Sequence, residues 1–464
     1  MCNVEIESSL ARIAGRSNVS TSEHVLQRYM KDRSHLTGSM PIAVVKPSNT
    51  RQVSKIMKLC TNSRMKVVVR GGGTSLTGAS EPLGKCIVID MSSFDKILKI
   101  HVQDGYAVVE PGVFVQTLND KLSERGYFYP PDPGSSSIAT IGGTINTNAG
   151  GLRAIHYGTT KDWLLGLELV LPNGEVLNTG NIVSKRSIGY DITGLICASE
   201  GTLGIVTKAI LRIEPKPEKI GKAIAFYNAI EDAADTITSM KKDCILPLGA
   251  EFLDGKSIRM IENSKQLKIP KNANYMLIVD VEGNKEAMPR LLKQVEKHLS
   301  KNASFVEATS SPREMEKLQQ ARKNLFLETH KLAERARKSV IIEDIVVPSS
   351  ELAATQREME RMLAKQSLEV ILFGHIGDGN LHANIIADFE KEKREVDALQ
   401  EAMGKIAIKH GGSVSGEHGI GIAKKRMLLD EFKSRRSQGL IPLMKRIKKA
   451  FDPHGIMNNG KIFD

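Results

Sequence analysis

The chain of 464 residues has few of the features that mark cysteine-rich proteins, membrane-spanning proteins and secreted proteins. Its five cysteines are scattered, and none forms a C-x-x-C pair, which argues against a disulfide framework and against an iron–sulfur cluster on this chain. No stretch approaches the ~18 uncharged apolar residues of a membrane span. The first residues include Glu5 and Glu7 and no continuous apolar run, so we expect no secretory signal. These absences favour a protein of the reducing cytoplasm.

Positive charge is abundant and unevenly placed. The net charge is +12, and residues 424–449 hold ten Lys and Arg against Asp430 and Glu431, a local net charge of +8. This segment is either a solvated helix face or a surface that contacts an anionic membrane face, an acidic substrate or a partner protein. Only Phe432 and Phe451 lie near it, so it has no aromatic stacking platform, and we expect no nucleic-acid partner.

Length and patterning predict an α+β protein of two or three domains. The first forty residues are polar and helical in pattern, and strands alternate with helices from Pro41 onwards. The Pro-, Lys- and Glu-rich stretch at 214–219 is the expected domain boundary. Beyond it, the pattern predicts an antiparallel sheet with helices on one face. The long charged helices are expected over 286–300, 311–338, 350–366 and 390–410.

Two histidines flank an Asp-Gly pair in the stretch GHIGDGNLH. The residues on either side are β-branched and apolar, so both read as strands, and Asp378-Gly379 predicts a two-residue type I′ hairpin with positive φ at both positions. In that register His375 faces His382, with Cβ atoms ~5 Å apart. Two adjacent imidazoles plus a carboxylate from elsewhere would make an open three-ligand site for a divalent metal. The alternative is a pair of structural histidines that match by coincidence.

A glycine-rich loop follows the apolar strand KVVVR, in the sequence RGGGTSLTG. Its backbone N–H groups could approach a phosphate. A dinucleotide-binding turn should open directly into a helix, but Pro82 and Gly84 follow. A P-loop needs a lysine where Ala79 stands. The loop is therefore either a pyrophosphate site of another kind or an ordinary glycine turn.

Three further segments are rich in Gly, Ser, Thr and Asn, namely PPDPGS, IGGTINTNAGGLRAIHYG and SEGTLGIVT. Irregular runs of this composition can surround a long polar ligand with main-chain donors. Four such loops in one domain favour a ligand-binding function.

These four segments, in this order and spacing, resemble the FAD-binding half of the vanillyl-alcohol-oxidase-type (PCMH-type) flavoproteins. GHIGDGNLH, SGEHGIG and FDPHGIMNNGK are similar to the C-terminal half of one branch, which holds D-lactate dehydrogenases, D-2-hydroxyglutarate dehydrogenases and the glycolate oxidase large subunit. The resemblance extends from about Pro41 to Lys461. It implies a two-subdomain FAD-binding domain and a cap domain whose antiparallel sheet is covered by helices.

The domain bounds expected from the linker and the resemblance comprise four segments. They are an N-terminal helical segment 1–40, an FAD-binding domain 41–215, a substrate or cap domain 216–425, and a C-terminal segment 426–464 that returns to the FAD-binding domain. The resemblance also implies a set of FAD-contacting residues: Arg70, Gly71, Gly72, Gly73, Thr74, Ser75, Gly78, Pro131, Asp132, Gly143, Asn148, Gly151, Glu200, Gly204, Ile205 and Asn458. Thr74 stands where some relatives attach FAD through a histidine, so we expect non-covalent FAD. Asn459 stands where relatives usually have a proline, a change that could loosen the last turn.

A metal would supply the acidity that an alcohol substrate lacks. An unassisted hydroxyl has a pKa on the order of 16, like water, and a bound divalent cation lowers it by many units. His375, His382 and Glu417 fit as ligands for Zn²⁺ or Mn²⁺.

Three further residues complete the expected site. His418 is the expected general base, because its unperturbed pKa lies near neutrality and an extended backbone would point it away from Glu417. Asn380 could donate a hydrogen bond to the substrate or the ligands. Arg322 resembles a family arginine that pairs with the substrate carboxylate; the alternative is an ordinary solvated helix arginine.

The resemblance implies an FAD-dependent, metal-assisted oxidation of a D-2-hydroxy acid, of the D-lactate or glycolate type, to the 2-oxo acid. The alternatives are an alkyl-glycerone-phosphate synthase-like FAD transferase and a basic binding module without enzymatic activity. The electron acceptor is open between a quinone, a cytochrome, an electron-transfer flavoprotein, an iron–sulfur subunit and oxygen. A peripheral contact with the inner membrane face and a homodimer are also left open.

Overall fold

The computed structural model describes residues 3–183, 185–262 and 268–463, with side chains except those of residues 3, 4, 321 and 322. The chain divides into two compact units. Unit 1 comprises Met1–Gly151, Gly158–Lys216 and Glu417–Asp464, and unit 2 comprises Leu152–Tyr157 and Pro217–Gly416. The chain thus leaves unit 1 near the predicted linker and re-enters it after Gly416, nine residues before the expected bound at 425.

Unit 1 contains two main sheets. The first has the order β1-β2-β4-β3, in which β2, β4 and β3 are parallel and β1 is antiparallel to β2. The second has the order β5-β6-β10-β8-β9 and is antiparallel throughout. A short antiparallel pair joins β7 to β11. The strands are β1 Val19–Ser20, β2 Ala43–Val45, β3 Lys66–Arg70, β4 Cys86–Asp90, β5 Ile97–His101, β6 Tyr106–Val109, β7 Tyr127–Phe128, β8 Leu164–Val170, β9 Val176–Gly180, β10 Ile205–Arg212 and β11 Glu214–Pro215.

Some helices of unit 1 begin at a residue whose side chain caps them, as α3, α5 and α7 do. The helix that follows β2 is capped by Asn49, whose side chain accepts from Gln52 N, and it buries Val53, Ile56, Met57 and Cys60 on one face. The segment from Ile141, which the sequence predicts as irregular, begins with a helix capped by Thr140. The helices are α1 Asn3–Ala14, α2 Glu23–Gln27, α3 Thr50–Asn62, α4 Val115–Ser123, α5 Ile141–Thr147, α7 Ile192–Ile196, α14 Lys425–Ser434 and α15 Leu440–Phe451, with α6 Ala154–Tyr157 in unit 2.

Unit 2 is built on one seven-stranded antiparallel sheet of order β15-β12-β14-β13-β17-β18-β16. Its strands are rich in β-branched and aromatic residues, which fit a pleated sheet buried on both faces. The strands are β12 Lys219–Tyr227, β13 Gly249–Asp254, β14 Tyr275–Gly283, β15 Phe305–Thr309, β16 Ser339–Val346, β17 Glu369–His375 and β18 Asn380–Ala387.

Helices cover both faces of this sheet, so the expectation of one covered face is wrong. One face packs on α8, α10, α12 and α13 in a large apolar core. The other face packs on α9 and α11 through a smaller cluster that includes Leu253, Phe373, Leu318 and Leu325. The helices are α8 Ile230–Lys242, α9 Gly255–Glu262, α10 Met288–Leu299, α11 Pro312–Arg335, α12 Leu352–Leu363 and α13 Lys393–Lys409. The four long helices predicted for this half are confirmed within a few residues at each end.

Cys60, Cys86, Cys197 and Cys244 are all free thiols. Across residues 3–183, 185–262 and 268–463, no helix is long and apolar enough to cross a membrane.

Candidate functional site

The histidine hairpin forms, but its register differs from the prediction by two residues. His375 lies opposite Asn380, and Phe373 lies opposite His382. Asp378 N and Gly379 N both donate to the His375 carbonyl, and of the two turn residues only Gly379 has positive φ. The two-residue type I′ turn is therefore wrong, and a four-residue turn stands in its place. A shift of two residues keeps every side chain on its original face, so both histidines still share one face of the sheet.

The two imidazoles meet on this face. Their Nε2 atoms are 3.1 Å apart, the rings are nearly perpendicular at 85°, and both side chains are buried. Two ligands ~2.0 Å from a tetrahedral ion lie ~3.3 Å from each other. The spacing of these nitrogens therefore fits two ligands of one divalent cation.

Glu251 is a residue that the sequence reading missed. It lies opposite His375 on the neighbouring strand β13, is buried, and its Oε1 is hydrogen-bonded to His375 Nδ1. A proton held on Nδ1 by this carboxylate leaves the lone pair of His375 on Nε2, the atom that faces His382. The signal in the sequence is an acidic residue inside an apolar strand, because a buried carboxylate is costly unless a partner compensates for it.

Asp344 is a second missed carboxylate of the same face. It lies opposite His382 on β16 and accepts hydrogen bonds from Gly416 N at 2.6 Å and from Ser415 Oγ at 3.3 Å. A Cβ on Gly416 would lie 2.8 Å from the side chain of Asn380, so this backbone needs glycine. Unit 2 thus fixes the residue to which Glu417 is covalently joined. The possible ligand atoms of His375, His382 and Glu417 all lie within 4.8 Å of one another.

The three expected catalytic residues have different surroundings. Asn380 is buried on the histidine face of β18, in the row of His375. His418 is held by a hydrogen bond from Thr77 Oγ1 to its carbonyl, and its Nε2 lies 3.6 Å from Glu417 Oε1. The chain bends here, so the expectation that an extended backbone separates these two side chains is wrong. Arg322 belongs to α11, but its side chain lies outside the described residues.

In unit 1, the first glycine loop packs directly on the segment that precedes α5. A Cβ on Gly71 would lie 2.2 Å from Thr140 Oγ1, and one on Gly72 would lie 2.1 Å from the Ile138 carbonyl. Gly73 and Gly78 have positive φ. No helix follows this loop before β4, which confirms that it is not a dinucleotide-binding turn. Two of the four predicted loops are therefore neighbours because their glycines allow the backbones to touch.

The polar residues of this loop organise its own backbone. Ser75 Oγ accepts from Thr77 N at 3.2 Å and from Ala79 N at 3.1 Å, while Thr74 is half-buried. Arg70 donates to the Lys31 carbonyl at 2.6 Å, and burial lowers the pKa of its guanidinium. In this conformation Arg70 links the loop to the N-terminal segment.

The second and third loops also approach each other through glycine. Gly151 has a φ of +146°, and a Cβ there would lie 2.3 Å from the carbonyl of Asp132, which follows the buried Pro131. Gly143 N donates a hydrogen bond to the side chain of Thr140, the cap residue of α5. The backbone of Asn148 is in the left-handed region, and its side chain accepts from Lys161 N at 2.9 Å.

Glu200 connects the fourth loop to the returning segment. Its buried carboxylate accepts from Ile420 N at 2.7 Å and from Gly421 N at 2.8 Å. Burial raises the pKa of this carboxyl to about 7, although the two N–H donors oppose the shift. Gly204 packs closely on Leu169, and the side chain of Ile205 lies in the hydrophobic core, so the latter offers a ligand only its backbone.

Asn458 joins three parts of unit 1. Its Nδ2 donates to the Ala79 carbonyl at 2.9 Å and to the Glu200 carbonyl at 2.6 Å, and its N–H donates to the Val67 carbonyl at 2.8 Å. Asn459 stands in the place of the usual proline, and its side-chain amide donates to the Gly455 carbonyl. This hydrogen bond closes the turn, whereas the loss of the proline was expected to loosen it.

The loops of unit 1 offer polar groups that suit a bound cofactor. The buried Oδ1 of Asn458 and the buried hydroxyl of Tyr129, next to the PPDPGS segment, have no hydrogen-bond partner among the described residues. Buried polar groups of this kind normally have a partner. Together with the close-packed glycine loops, they fit a cradle for a long polar ligand such as FAD.

Two family models together match most of the chain. The model described as "FAD linked oxidases, C-terminal domain" matches residues 216–462, and the model described as "FAD binding domain" matches residues 41–180. The first of these covers more than half of the chain.

Known proteins of similar sequence and structure agree with these models. The chain is 36% identical to "Glycolate oxidase subunit GlcD" of Bacillus subtilis, over 100% of this chain and 97% of that protein. It is 34% identical to "D-lactate dehydrogenase [cytochrome], mitochondrial" of Arabidopsis thaliana, over 92% of this chain and 74% of that protein. A solved structure of p-cresol methylhydroxylase with substrate bound shares the fold, with a TM-score of 0.80, 18% identity, and coverage of 99% of this chain and 97% of that one. The chain therefore belongs to the FAD-linked oxidases, with an FAD-binding domain and the C-terminal domain of that family.

Proposed function

We propose that this FAD-linked oxidase oxidises a D-2-hydroxy acid, of the D-lactate or glycolate type, to the 2-oxo acid with the help of a divalent cation. The observation that carries the proposal is the pair of buried imidazole nitrogens, 3.1 Å apart on one sheet face. The names of the relatives, a glycolate oxidase subunit and a D-lactate dehydrogenase, support a substrate of this class.

The cation would be held by His375, His382 and Glu417. Zn²⁺ and Mn²⁺ both accept two imidazoles and a carboxylate with open positions for substrate oxygens. When bound, such an ion polarises the hydroxyl of the substrate and lowers its pKa. Glu251 fixes the tautomer and the ring orientation of His375, so that Nε2 is ready to ligate.

The residues of the chain would then manage one proton and the orientation of the substrate. His418 would accept the hydroxyl proton, while a bound flavin would supply the acceptor for the hydride that the substrate carbon loses. Asn380, buried in the same row as His375, donates to the substrate. Arg322 of α11 would pair with the substrate carboxylate, for which a planar guanidinium is suited.

FAD, held non-covalently by the loops of unit 1, supplies the hydride acceptor. The close approaches at Gly71, Gly72 and Gly151 bring main-chain groups of the first three loops together, where N–H donors suit a pyrophosphate. Asn458 ties the first and fourth loops, and its free Oδ1 can accept from the cofactor.

Stopped-flow reduction of the bound flavin tests the proposal directly. The absorbance near about 450 nm is followed after mixing with a panel of D- and L-2-hydroxy acids of increasing length. We expect rapid bleaching with a short D-2-hydroxy acid or with glycolate and none with the L-enantiomers. Bleaching by none of the panel would contradict the substrate class.

The role of His418 is tested in the same experiment with His418→Asn. This variant should retain its flavin and bleach about 10²- to 10⁴-fold more slowly, the range of general-base contributions. His410→Asn is the matched control, because His410 lies in unit 2 and is bound to Glu351 and Glu358. Flavin reduction at the wild-type rate in His418→Asn would refute the assignment of the base.

A further inference from the structure

The helix α15 is held to unit 1 by few interactions and leaves two leucines in solvent. None of its side chains is fully buried, and Leu440 and Leu443 are 42% and 43% exposed. Its main polar attachment is Lys448, whose Nζ donates to the Thr202 carbonyl at 2.7 Å and to the Met457 carbonyl at 2.8 Å. The side of the helix that carries Lys448 therefore faces the unit.

The exposed side of α15 is apolar along one edge and basic along the other. At 100° per residue, Leu440, Leu443 and Arg446 follow one another around the helix, and Lys445 and Lys449 lie beyond Arg446. All three basic side chains are exposed. A helix with leucines beside a row of lysine and arginine is typical of helices that lie in a lipid headgroup region.

The preceding helix α14 repeats this pattern. Leu429 is 49% exposed, and Arg426 and Lys433, three residues before it and four after it, are exposed on the same stripe. The linker between the helices adds the exposed Arg435 and Arg436.

The acidic residues between 425 and 452 are buried or half-buried. Glu431 is buried and paired with Arg435 at 3.2 Å, and Asp452 is buried and paired with Lys448. Asp430 is half-buried. The surface charge is therefore almost entirely positive.

We propose that the exposed side of α15, defined by Leu440, Leu443, Lys445, Arg446 and Lys449, docks on an anionic lipid surface. Each basic residue near such a surface contributes attraction, and exposed leucines enter the acyl boundary at no electrostatic cost. An acidic protein partner would use the charge but gives no reason for two exposed leucines one turn apart on the same side of α15. The proposal does not depend on the proposed substrate.

Co-sedimentation with lipid vesicles tests the proposal on the full-length flavoprotein. We expect binding to vesicles of phosphatidylcholine and phosphatidylglycerol in equal amounts, release at high salt, and little binding to phosphatidylcholine alone. The triple variant Lys445→Gln, Arg446→Gln, Lys449→Gln should bind roughly a hundredfold more weakly. The double variant Leu440→Ser, Leu443→Ser should bind about tenfold more weakly while retaining its charge.

Matched controls separate docking from general changes of charge or stability. The triple variant Lys293→Gln, Lys297→Gln, Lys301→Gln removes three exposed lysines from α10 of unit 2 and the turn that follows it, and should bind as the wild type does. The double variant Leu98→Ser, Val176→Ser removes two residues of similar exposure, 44% and 40%, from other strands of unit 1 and should also bind normally. Flavin absorbance and circular dichroism check that every variant is folded.

Two results would overturn the proposal. One is an absence of binding to the anionic vesicles at low salt. The other is binding that the α15 variants and their controls weaken equally, since non-specific attraction of a protein with net charge +12 would explain it. Binding to polyglutamate but not to vesicles falls under the first result and would favour an acidic protein partner.

Discussion

Unit 1 and unit 2 shape their candidate functional residues by different means. In unit 2, the chemistry lies in side chains, and the register of four adjacent strands brings Glu251, His375, His382 and Asp344 onto one face. In unit 1, the loops are shaped by what is missing, because side chains at Gly71, Gly72 or Gly151 would collide with neighbouring backbone or side chains. Side chains that must ligate need a stiff frame, whereas a cradle for a long cofactor needs exposed main chain.

This difference predicts that damage to the two units can be separated. Loss of a side chain in unit 2 should abolish metal binding and leave the flavin bound. Addition of a side chain to a loop of unit 1 should release the flavin and leave the metal site intact.

The largest effect is expected for His382→Ala. Loss of one of three ligands should reduce turnover by about a thousandfold or more, because the polarising charge on the substrate is lost. Metal content by atomic emission should fall while the flavin spectrum is unchanged. His298→Ala, at a histidine bound to Ser239 in unit 2, serves as control. If His382→Ala binds metal as tightly as the wild type does, the proposal that the histidines of unit 2 hold the metal is wrong.

The stability of unit 1 should depend on pH because of Glu200. The substitution Glu200→Gln should reduce that dependence. Its pKa is raised to about 7 from the usual 4.5. The folded state therefore holds a proton that the unfolded state has released, and stability falls as pH rises from about 4.5 to about 7, by roughly 3 kcal/mol. In Glu200→Gln, the fall of the thermal midpoint between about pH 5 and about pH 7 should be smaller. The exposed control Glu175→Gln should keep the wild-type pH profile. If Glu200→Gln also keeps it, the assignment of the pH dependence to Glu200 is wrong.

Glu251→Gln should weaken metal binding without removing a ligand. A carboxylate behind a ligating histidine typically contributes 10- to 100-fold to metal affinity. We expect a loss within that range in a titration with Zn²⁺ or Mn²⁺, and Glu251→Asp should recover part of it. The flavin spectrum should not change. A loss of flavin together with the metal would indicate a general structural role for Glu251.

Gly72→Ala tests the cradle, and Gly134→Ala is its control. A methyl group at Gly72 meets the Ile138 carbonyl at 2.1 Å, whereas at Gly134 it meets nothing within 4 Å. The forced movement should cost about 1–3 kcal/mol and weaken FAD binding by about tenfold to a hundredfold. Flavin content after purification and FAD titration of the apoprotein measure the effect. Equal flavin retention by the two variants would show that the close approach has no part in binding.

The sequence predicts the histidine face but not its register. Strand alternation and the Asp-Gly pair indicate a hairpin, and the turn type was wrong because Asp378 does not take positive φ. The prediction of a shared face survived because the error was two residues, and the side-chain period of a strand is two. An error of one residue would have placed one histidine on the opposite face.

Contacts between distant strands and loops were not predictable from local pattern. Glu251 and His375 are separated by 124 positions, and nothing in either strand specifies that β13 pairs with β17. The glycine loops were found by composition, but the groups that Gly71, Gly72 and Gly151 accommodate lie about 20 to 70 residues away in the chain. Local sequence thus predicts which residues are candidates for the site, whereas strand pairing and loop packing determine which of them come together.

The return of residues 417–464 to unit 1 has a consequence for the order in which the protein matures. Glu200, Ala79 and Val67 receive hydrogen bonds from this segment, so the first and fourth loops wait for it. On the ribosome, every strand of unit 2 emerges before the segment that completes the flavin cradle. We therefore expect nascent chains in which residues 1–416 have emerged but residues 417–464 have not to carry a folded histidine sheet and no flavin, so that cofactor loading reports on the emergence of this segment.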